Sequence, residues 1–283
     1  MRILVTGGCG FIGSYFVNMI PEVIVNIDRM DYCADESRVT RPVPLLKIDI
    51  CETERVRKVI HDYQIDTIVH FAAQTHVDNS FVRSMDFTRD NIVGTHSLLE
   101  ASRGLVERFV HVSTDEVYGE SHEVCYEDSA LAPTNPYAAS KAAAEMICFS
   151  YWKSFKFPLL ICRMNNAYGP GQYPEKVIPK FLKAIKEGQP CTIQGDGKQT
   201  RAFVHVEDIV RGIDTVLRKG TLGEAYNIGT DHQISILDLA KMLGATAIEY
   251  VPDRPFNDCR YTISSDKLKA LGWKLEKTMA NLS

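Results

Sequence analysis

Glycines at positions 7, 10 and 13, set between two apolar runs, restrict this chain more than any other feature. Ile3-Leu4-Val5 has no polar face. It is followed by Thr6-Gly7-Gly8-Cys9-Gly10-Phe11-Ile12-Gly13 and then by Val23-Ile24-Val25-Asn26-Ile27, which ends on Asp28. A strand that does not alternate is covered on both faces, as in a parallel sheet with helical crossovers. Glycines in such a turn let the backbone approach a pyrophosphate at the N-terminus of the next helix. Asp28 is placed to accept hydrogen bonds from an adenosine ribose, and an acid there disfavours a 2′-phosphate. The order strand, glycines, helix, strand, acid therefore predicts NAD in preference to NADP. Gly7, Gly10, Phe11, Ile12, Gly13 and Asp28 are its candidate contacts, and the neighbouring Arg29 pulls toward NADP.

The alternation continues. Leu45-Leu46-Lys47-Ile48 is a predicted strand leading to Asp49 and Ile50, and a helix follows through Arg55–Tyr63. The strand Thr67–Phe71 then runs into Ala72 and Ala73, small residues suited to lie beside a nucleotide. Asp49, Ile50, Phe71, Ala72 and Ala73 complete the candidate cofactor contacts. His76 and Asp78 are predicted to shape the loop rather than to catalyse. A single helix is expected near Phe87–Arg103, with Ile92, His96, Leu99 and Arg103 on one stripe.

The densest chemistry lies between Val112 and Lys141. The buried strand pattern Arg108–Val112 ends in Ser113-Thr114-Asp115-Glu116, two hydroxyls and two adjacent carboxylates. The carboxyl end of a parallel strand is where open α/β sheets bind ligands. Tyr137 and Lys141 open an alanine-rich helix and share a face at four-residue spacing. An ammonium beside a phenol favours the phenolate. A tyrosine acting as a base at neutral pH needs a shift of roughly three units, which a lysine and a cationic cofactor together would supply.

These elements predict an α/β chain built on a Rossmann-type doubly wound parallel sheet, with a smaller interrupted α/β substrate lobe. We assign residues 1–165 to the NAD-binding domain, with 203–230 returning to it, and residues 166–202 and 231–283 to the lobe. The lobe is turn-rich around Asn165–Gly171 and Gly195–Gly197. Arg201, Arg254 and Arg260 sit beside turns, where guanidinium forks suit a diphosphate.

Composition excludes other classes. Of 283 residues 45% are hydrophobic and 24% charged, so disorder is not expected; the net charge of −4 leaves no footprint for nucleic acid or an anionic membrane. No apolar run approaches the ~20 residues a bilayer span needs. The first residues read directly as a strand, without a leader, so we expect a cytoplasmic protein. The eight cysteines form no C-x-x-C pair, and no metal site is expected.

Several stretches resemble one family. Gly-x-x-Gly-x-x-Gly and Tyr-x-x-x-Lys resemble the extended short-chain dehydrogenase/reductase superfamily. His111–Gly119, Phe71–Asp78, Asn135–Lys141 and Gln172–Pro179 look like the nucleoside-diphosphate-glucose 4,6-dehydratases. Thr114-Asp115-Glu116 is the most specific mark, because related epimerases generally lack the acid pair. The resemblance implies NAD as a recycled cofactor, a nucleoside-diphosphate-glucose substrate and a homodimer through the helices near 87–103 and 136–156. It implies Tyr137 as the base at the 4-hydroxyl, Thr114 on the 4-oxygen, Glu116 as the base at C5, Asp115 as the acid at the departing 6-hydroxyl, and Lys141 on the ribose and the tyrosine. Asn166, Lys176, Arg201 and Arg254 are the implied substrate contacts, with Arg260 a weaker one. Residues 74–81 and 253–258 look closer to UDP-glucose than to dTDP-glucose enzymes. Cys9, in place of the usual alanine, and a compact C-terminal region depart from the family. A 4-epimerase or decarboxylase would use the same Tyr137, Lys141 and NAD but has no need of the acid pair. A scaffold that merely binds NAD would leave the whole set idle.

Overall fold

The computed structural model describes residues 1–279. The opening unit is β1 (Arg2–Thr6), α1 (Phe11–Met19) and β2 (Val23–Asp28), with the two strands parallel. Then come β3 (Leu45–Lys47), α2 (Thr53–Asp62) and β4 (Thr67–His70). Short helices α3 (Val77–Val82) and α4 (Ser84–Phe87) lead through a π-helical segment, Thr88–Val93, into α5 (Gly94–Ser102). β5 (Arg108–Thr114), α6 (Pro136–Phe155) and β6 (Leu159–Met164) carry the dense chemical stretch. The rest is β7 (Asn166–Tyr168), α7 (Val177–Lys186), β8 (Cys191–Gln194), β9 (Thr200–His205), α8 (Val206–Lys219), β10 (Ala225–Ile228), β11 (Gln233–Ser235), α9 (Ile236–Met242), β12 (Ile248–Val251) and α10 (Asp266–Ala270).

Seven strands form one parallel sheet in the order β10-β6-β5-β4-β1-β2-β3. The sheet is doubly wound because its apolar strands feed two cores. Ile3 and Val5 face one side with Phe16, Val17 and the buried stripe of α8. Leu4, between them, faces the other side with α2, α5 and α6. Period-two alternation thus survives in an all-apolar strand as a choice between two interiors.

A smaller core unites Tyr168, Ile178, Phe181, Ile193, Phe203 and Leu239 around the three-stranded sheet β11-β9-β7 and the pair β12-β8. β9, which sequence placed partly with the main sheet, pairs with β7 and β11 instead; the return to the main sheet is made by α8 and β10.

One further expectation changes. The helix near 87–103 is interrupted by its π-helical turn, and the expected stripe does not form: Leu99 is buried while His96 and Arg103 are exposed. One extra residue per turn moves the phase, so the buried face runs through Asn91, Thr95, Leu98 and Ser102. α7 begins at Val177, with Lys176 as its N-cap residue. No helix of the described residues is long and apolar enough to cross a membrane, and no metal-binding group of side chains occurs among them.

Candidate active site

The carboxyl ends of β1, β4, β5 and β6 open into one cleft of about 450 Å³ that extends to the small lobe. At one end lies the glycine turn. Gly7 has φ +72, and a Cβ there would sit 2.7 Å from the Ala72 nitrogen, against backbone. A Cβ on Gly13 would sit 2.3 Å from the Gly7 oxygen, so α1 meets the turn only because both residues lack side chains. The N-terminus of α1 has no side-chain cap, and Gly10, Phe11 and Ile12 line the cleft. Uncapped helical N–H groups facing a cavity suit a pyrophosphate.

Asp28 lines the same cleft and accepts hydrogen bonds from the Cys9 nitrogen at 3.0 Å and the Met30 nitrogen at 2.8 Å. These bonds hold its carboxylate at the end of β2. Arg29 turns away from the role that would favour a 2′-phosphate: its guanidinium grips Asp90 at 2.5 and 2.7 Å and Asp31 at 2.5 Å. Asp49, Ile50, Phe71, Ala72 and Ala73 form the rest of this wall. The residues present fit NAD.

In the middle of the cleft, Thr114 ends β5 and caps the turn Asp115–Tyr118, its hydroxyl accepting from the Glu116 nitrogen at 3.3 Å. Asp115 is 3% exposed. Its Oδ2 accepts from the Asn165 amide at 2.7 Å, and its Oδ1 from the Thr114 hydroxyl at 3.2 Å. Burial, then the charge of Glu116, push the Asp115 carboxyl up to about 7, so it holds its proton near neutrality. Glu116 Oε2 accepts from the Asn135 amide at 3.0 Å. Asn135 also caps α6 through the Ala138 nitrogen at 2.8 Å, with Pro136 in the first turn. One residue thus sets both the general-base candidate and the helix that carries Tyr137.

Tyr137 and Lys141 are both buried and line the cleft. Burial, then Glu116, raise the phenol well above its ordinary value, and the Thr114 hydroxyl opposes them. Lys141 follows Tyr137 by one turn of α6. Its ammonium donates to the Val112 carbonyl at 2.7 Å, and burial brings its pKa down to about 8.

Toward the lobe, Asn166, Lys176, Arg201 and Arg254 all reach the cleft. Lys176 donates to the Thr75 carbonyl at 2.7 Å, and burial lowers its pKa. Arg260 does not reach it; its Nε is taken by the Thr262 hydroxyl at 2.8 Å. His76 and Asp78 shape the loop and also line the cleft. His76 caps α3, while Asp78 accepts from Arg254 at 3.4 Å and Gln194 at 3.3 Å. Sequence reasoning passed over Asn165 and Asn257. Asn165 lies beside the chosen Asn166, in the one-residue link between β6 and β7, and both line the cleft.

Residues 3–229 match the family described as NAD dependent epimerase/dehydratase. The chain is 45% identical to a dTDP-D-glucose 4,6-dehydratase of Bos taurus, over 96% of this chain and 84% of that protein. It is 44% identical to a trifunctional UDP-glucose 4,6-dehydratase/epimerase/reductase of Arabidopsis thaliana, covering 98% of this chain but 46% of the relative. Among solved structures, a dTDP-glucose 4,6-dehydratase from Streptomyces venezuelae with NAD bound superimposes with a TM-score of 0.95 at 35% identity, covering 99% of this chain and 94% of that one.

Proposed function

The chain belongs to the NAD dependent epimerase/dehydratase family, and we propose that it removes water from a nucleoside-diphosphate-glucose, UDP-glucose in preference to dTDP-glucose, giving the 4-keto-6-deoxy sugar nucleotide. The observation that carries this reading is the Thr114-Asp115-Glu116 turn. It brings a proton-holding carboxyl and a second acid into the cleft that also holds Tyr137. Eliminating water across two adjacent carbons needs an acid and a base together.

Bound NAD supplies the reversible oxidation of the sugar. Gly7, Gly10, Phe11, Ile12 and Gly13 would hold its pyrophosphate and Asp28 its ribose, while Lys141 stands beside Tyr137. We assign Tyr137 to the 4-hydroxyl proton and Thr114 to the 4-oxygen. Glu116 takes the proton from C5, made acidic by the neighbouring ketone. Asp115 gives its proton to the 6-hydroxyl, which leaves as water; the hydride withdrawn from C4 would then return to C6, and Glu116 would return a proton to C5. Asn166, Lys176, Arg201 and Arg254 hold the nucleotide part.

The preference for UDP rests on residues 74–81 and 253–258. Gln74, Asp78, Arg254 and Asn257 of these stretches stand on the cleft wall, which gives them access to the substrate. We also infer a homodimer through the helices of residues 84–102 and 136–155, where Met85, Val93 and Met146 are exposed. The eight free cysteines suit a reducing compartment, in keeping with a cytoplasmic location. Separate incubations with UDP-glucose and dTDP-glucose test the activity. A product lighter by one water, formed at a higher kcat/KM from UDP-glucose, is expected. An unchanged mass with both sugars would refute the dehydratase reading.

A further inference from the structure

Arg201 in β9 and Arg254, beyond β12, come from separate parts of the lobe, yet one atom joins them. The Asn257 side-chain oxygen accepts from Arg254 Nη2 at 2.5 Å and from Arg201 Nη2 at 3.2 Å. Two guanidinium groups bonded to one acceptor keep those nitrogens within about 6 Å of each other. Like charges so placed repel, and the shared acceptor is neutral, so it binds both without cancelling either.

The orientation of Asn257 is chemically fixed. Its oxygen faces donors that cannot accept, and its nitrogen donates to Asp253 Oδ1 at 3.0 Å, an acceptor that cannot donate. The other partners of Arg201 are the Thr200 and Asp258 carbonyls at 2.8 and 2.9 Å. The sole carboxylate bonded to either guanidinium among the described residues is Asp78, at 3.4 Å from Arg254; Asp253 also accepts from the Arg254 backbone nitrogen at 2.9 Å. Both arginines and Asn257 line the cleft.

We propose that Asn257 is a positioning residue, which sets Arg201 and Arg254 at the spacing that clamps the diphosphate of the nucleotide sugar without adding a negative charge of its own to either. This rests on the substrate reading above. A carboxylate at 257 would hold the same two nitrogens but neutralise them and repel Asp253.

The test compares wild type, Asn257→Asp and the double variant Asn257→Asp with Asp253→Asn, all carrying NAD. UDP affinity, KM and kcat for the nucleotide sugar, and NAD affinity are measured. In Asn257→Asp the UDP Kd and the sugar KM should rise tenfold or more, with kcat within about threefold of wild type, as expected for weakened charge-assisted bonds to the diphosphate. NAD affinity should not change. The double variant restores a hydrogen bond between positions 253 and 257, and with it the loop. Its UDP affinity should stay low, because the arginine charge is still cancelled. Wild-type UDP affinity in either variant would overturn the proposal. A fall in kcat with KM unchanged would do the same. Wild-type protein that bound neither UDP nor dTDP would instead overturn the substrate reading, and the inference with it.

Discussion

Asp115 and Asn165 stand one residue beyond the ends of the neighbouring strands β5 and β6, and the Asn165 amide donates a 2.7 Å hydrogen bond to the Asp115 carboxylate. Asn165 is itself held: its oxygen accepts from the Thr230 nitrogen at 3.0 Å. This bond favours the ionised acid, but burial and Glu116 outweigh it and place the Asp115 pKa at about 7 against an ordinary 3.8.

A stability experiment follows from that balance. Between the ordinary and the raised pKa the folded protein binds more protons than the unfolded chain, so Asp115 makes stability fall as pH rises through that window. Asp115→Asn removes the ionisation. Its stability should match wild type near pH 4 and exceed it near pH 8 by an amount approaching the order of 4 kcal/mol, read as a Tm difference that grows with pH. Turnover should fall by about 10²–10⁴-fold with the loss of the acid. A Tm difference that did not grow with pH would show that Asp115 ionises freely in the fold.

The cofactor end yields a second expectation. Asp28→Ala loses the ribose acceptor and the anchor for the Cys9 and Met30 nitrogens. NAD binding should weaken by about 1–3 kcal/mol, the range for a lost charge-assisted bond. Tight NADP binding should not appear in exchange, because Arg29 remains locked on Asp90 and Asp31. Calorimetric titration with both cofactors decides the matter; unchanged NAD affinity, or a switch to NADP, would count against this assignment.

The three arginines that the sequence offered for a diphosphate now separate. Arg254 lines the cleft and Arg260 does not. Arg254→Ala should raise the nucleotide-sugar KM by about 10–100-fold, the scale of hydrogen bonds to a charged group. Arg260→Ala should leave KM within about twofold of wild type, as surface substitutions do. Equal effects in steady-state kinetics would mean that the cleft is not where the diphosphate sits.

Local chemistry explains which parts of this molecule were legible. The glycine turn, Asp28, the acid pair and the Tyr137–Lys141 face each depend on residues close together in sequence, and all of them reach one cleft. The π-helical segment after Phe87 was not legible, because the apolar spacing reads the same until one residue too many enters a turn. β8 alternates buried and half-buried residues over Cys191–Gln194, but at that length the pattern does not rise above its flanking loops. Asn165 and Asn257 act through partners 50 and 56 residues away, which no spacing rule reports. The interaction of Lys141 with the Val112 carbonyl was hidden for the same reason: helix geometry puts it beside Tyr137 but does not say where its ammonium points.

Glu116 offers the most direct test of the chemistry, because its surroundings permit a clean substitution. Its Oε2 accepts from Asn135 at 3.0 Å, and glutamine presents a carbonyl oxygen that can accept the same bond. Asn135 should therefore stay in place, and with it the cap of α6 and the position of Tyr137. What Glu116→Gln removes is basicity. The charge that helps to raise the Asp115 pKa goes as well, so the acid should titrate lower and the alkaline limb of the pH–rate profile should move down. General base catalysis is typically worth about 10²–10⁴-fold, and turnover should fall by that factor. Proton exchange at C5 isolates the step. In heavy water the wild-type product should carry deuterium at that carbon, and substrate recovered from Glu116→Gln should gain it far more slowly than substrate recovered from wild type. Asp115→Asn, which keeps the base, should retain C5 exchange while losing product. Exchange in Glu116→Gln at the wild-type rate would show that another group takes the C5 proton, and the division of labour between the two acids would have to be abandoned.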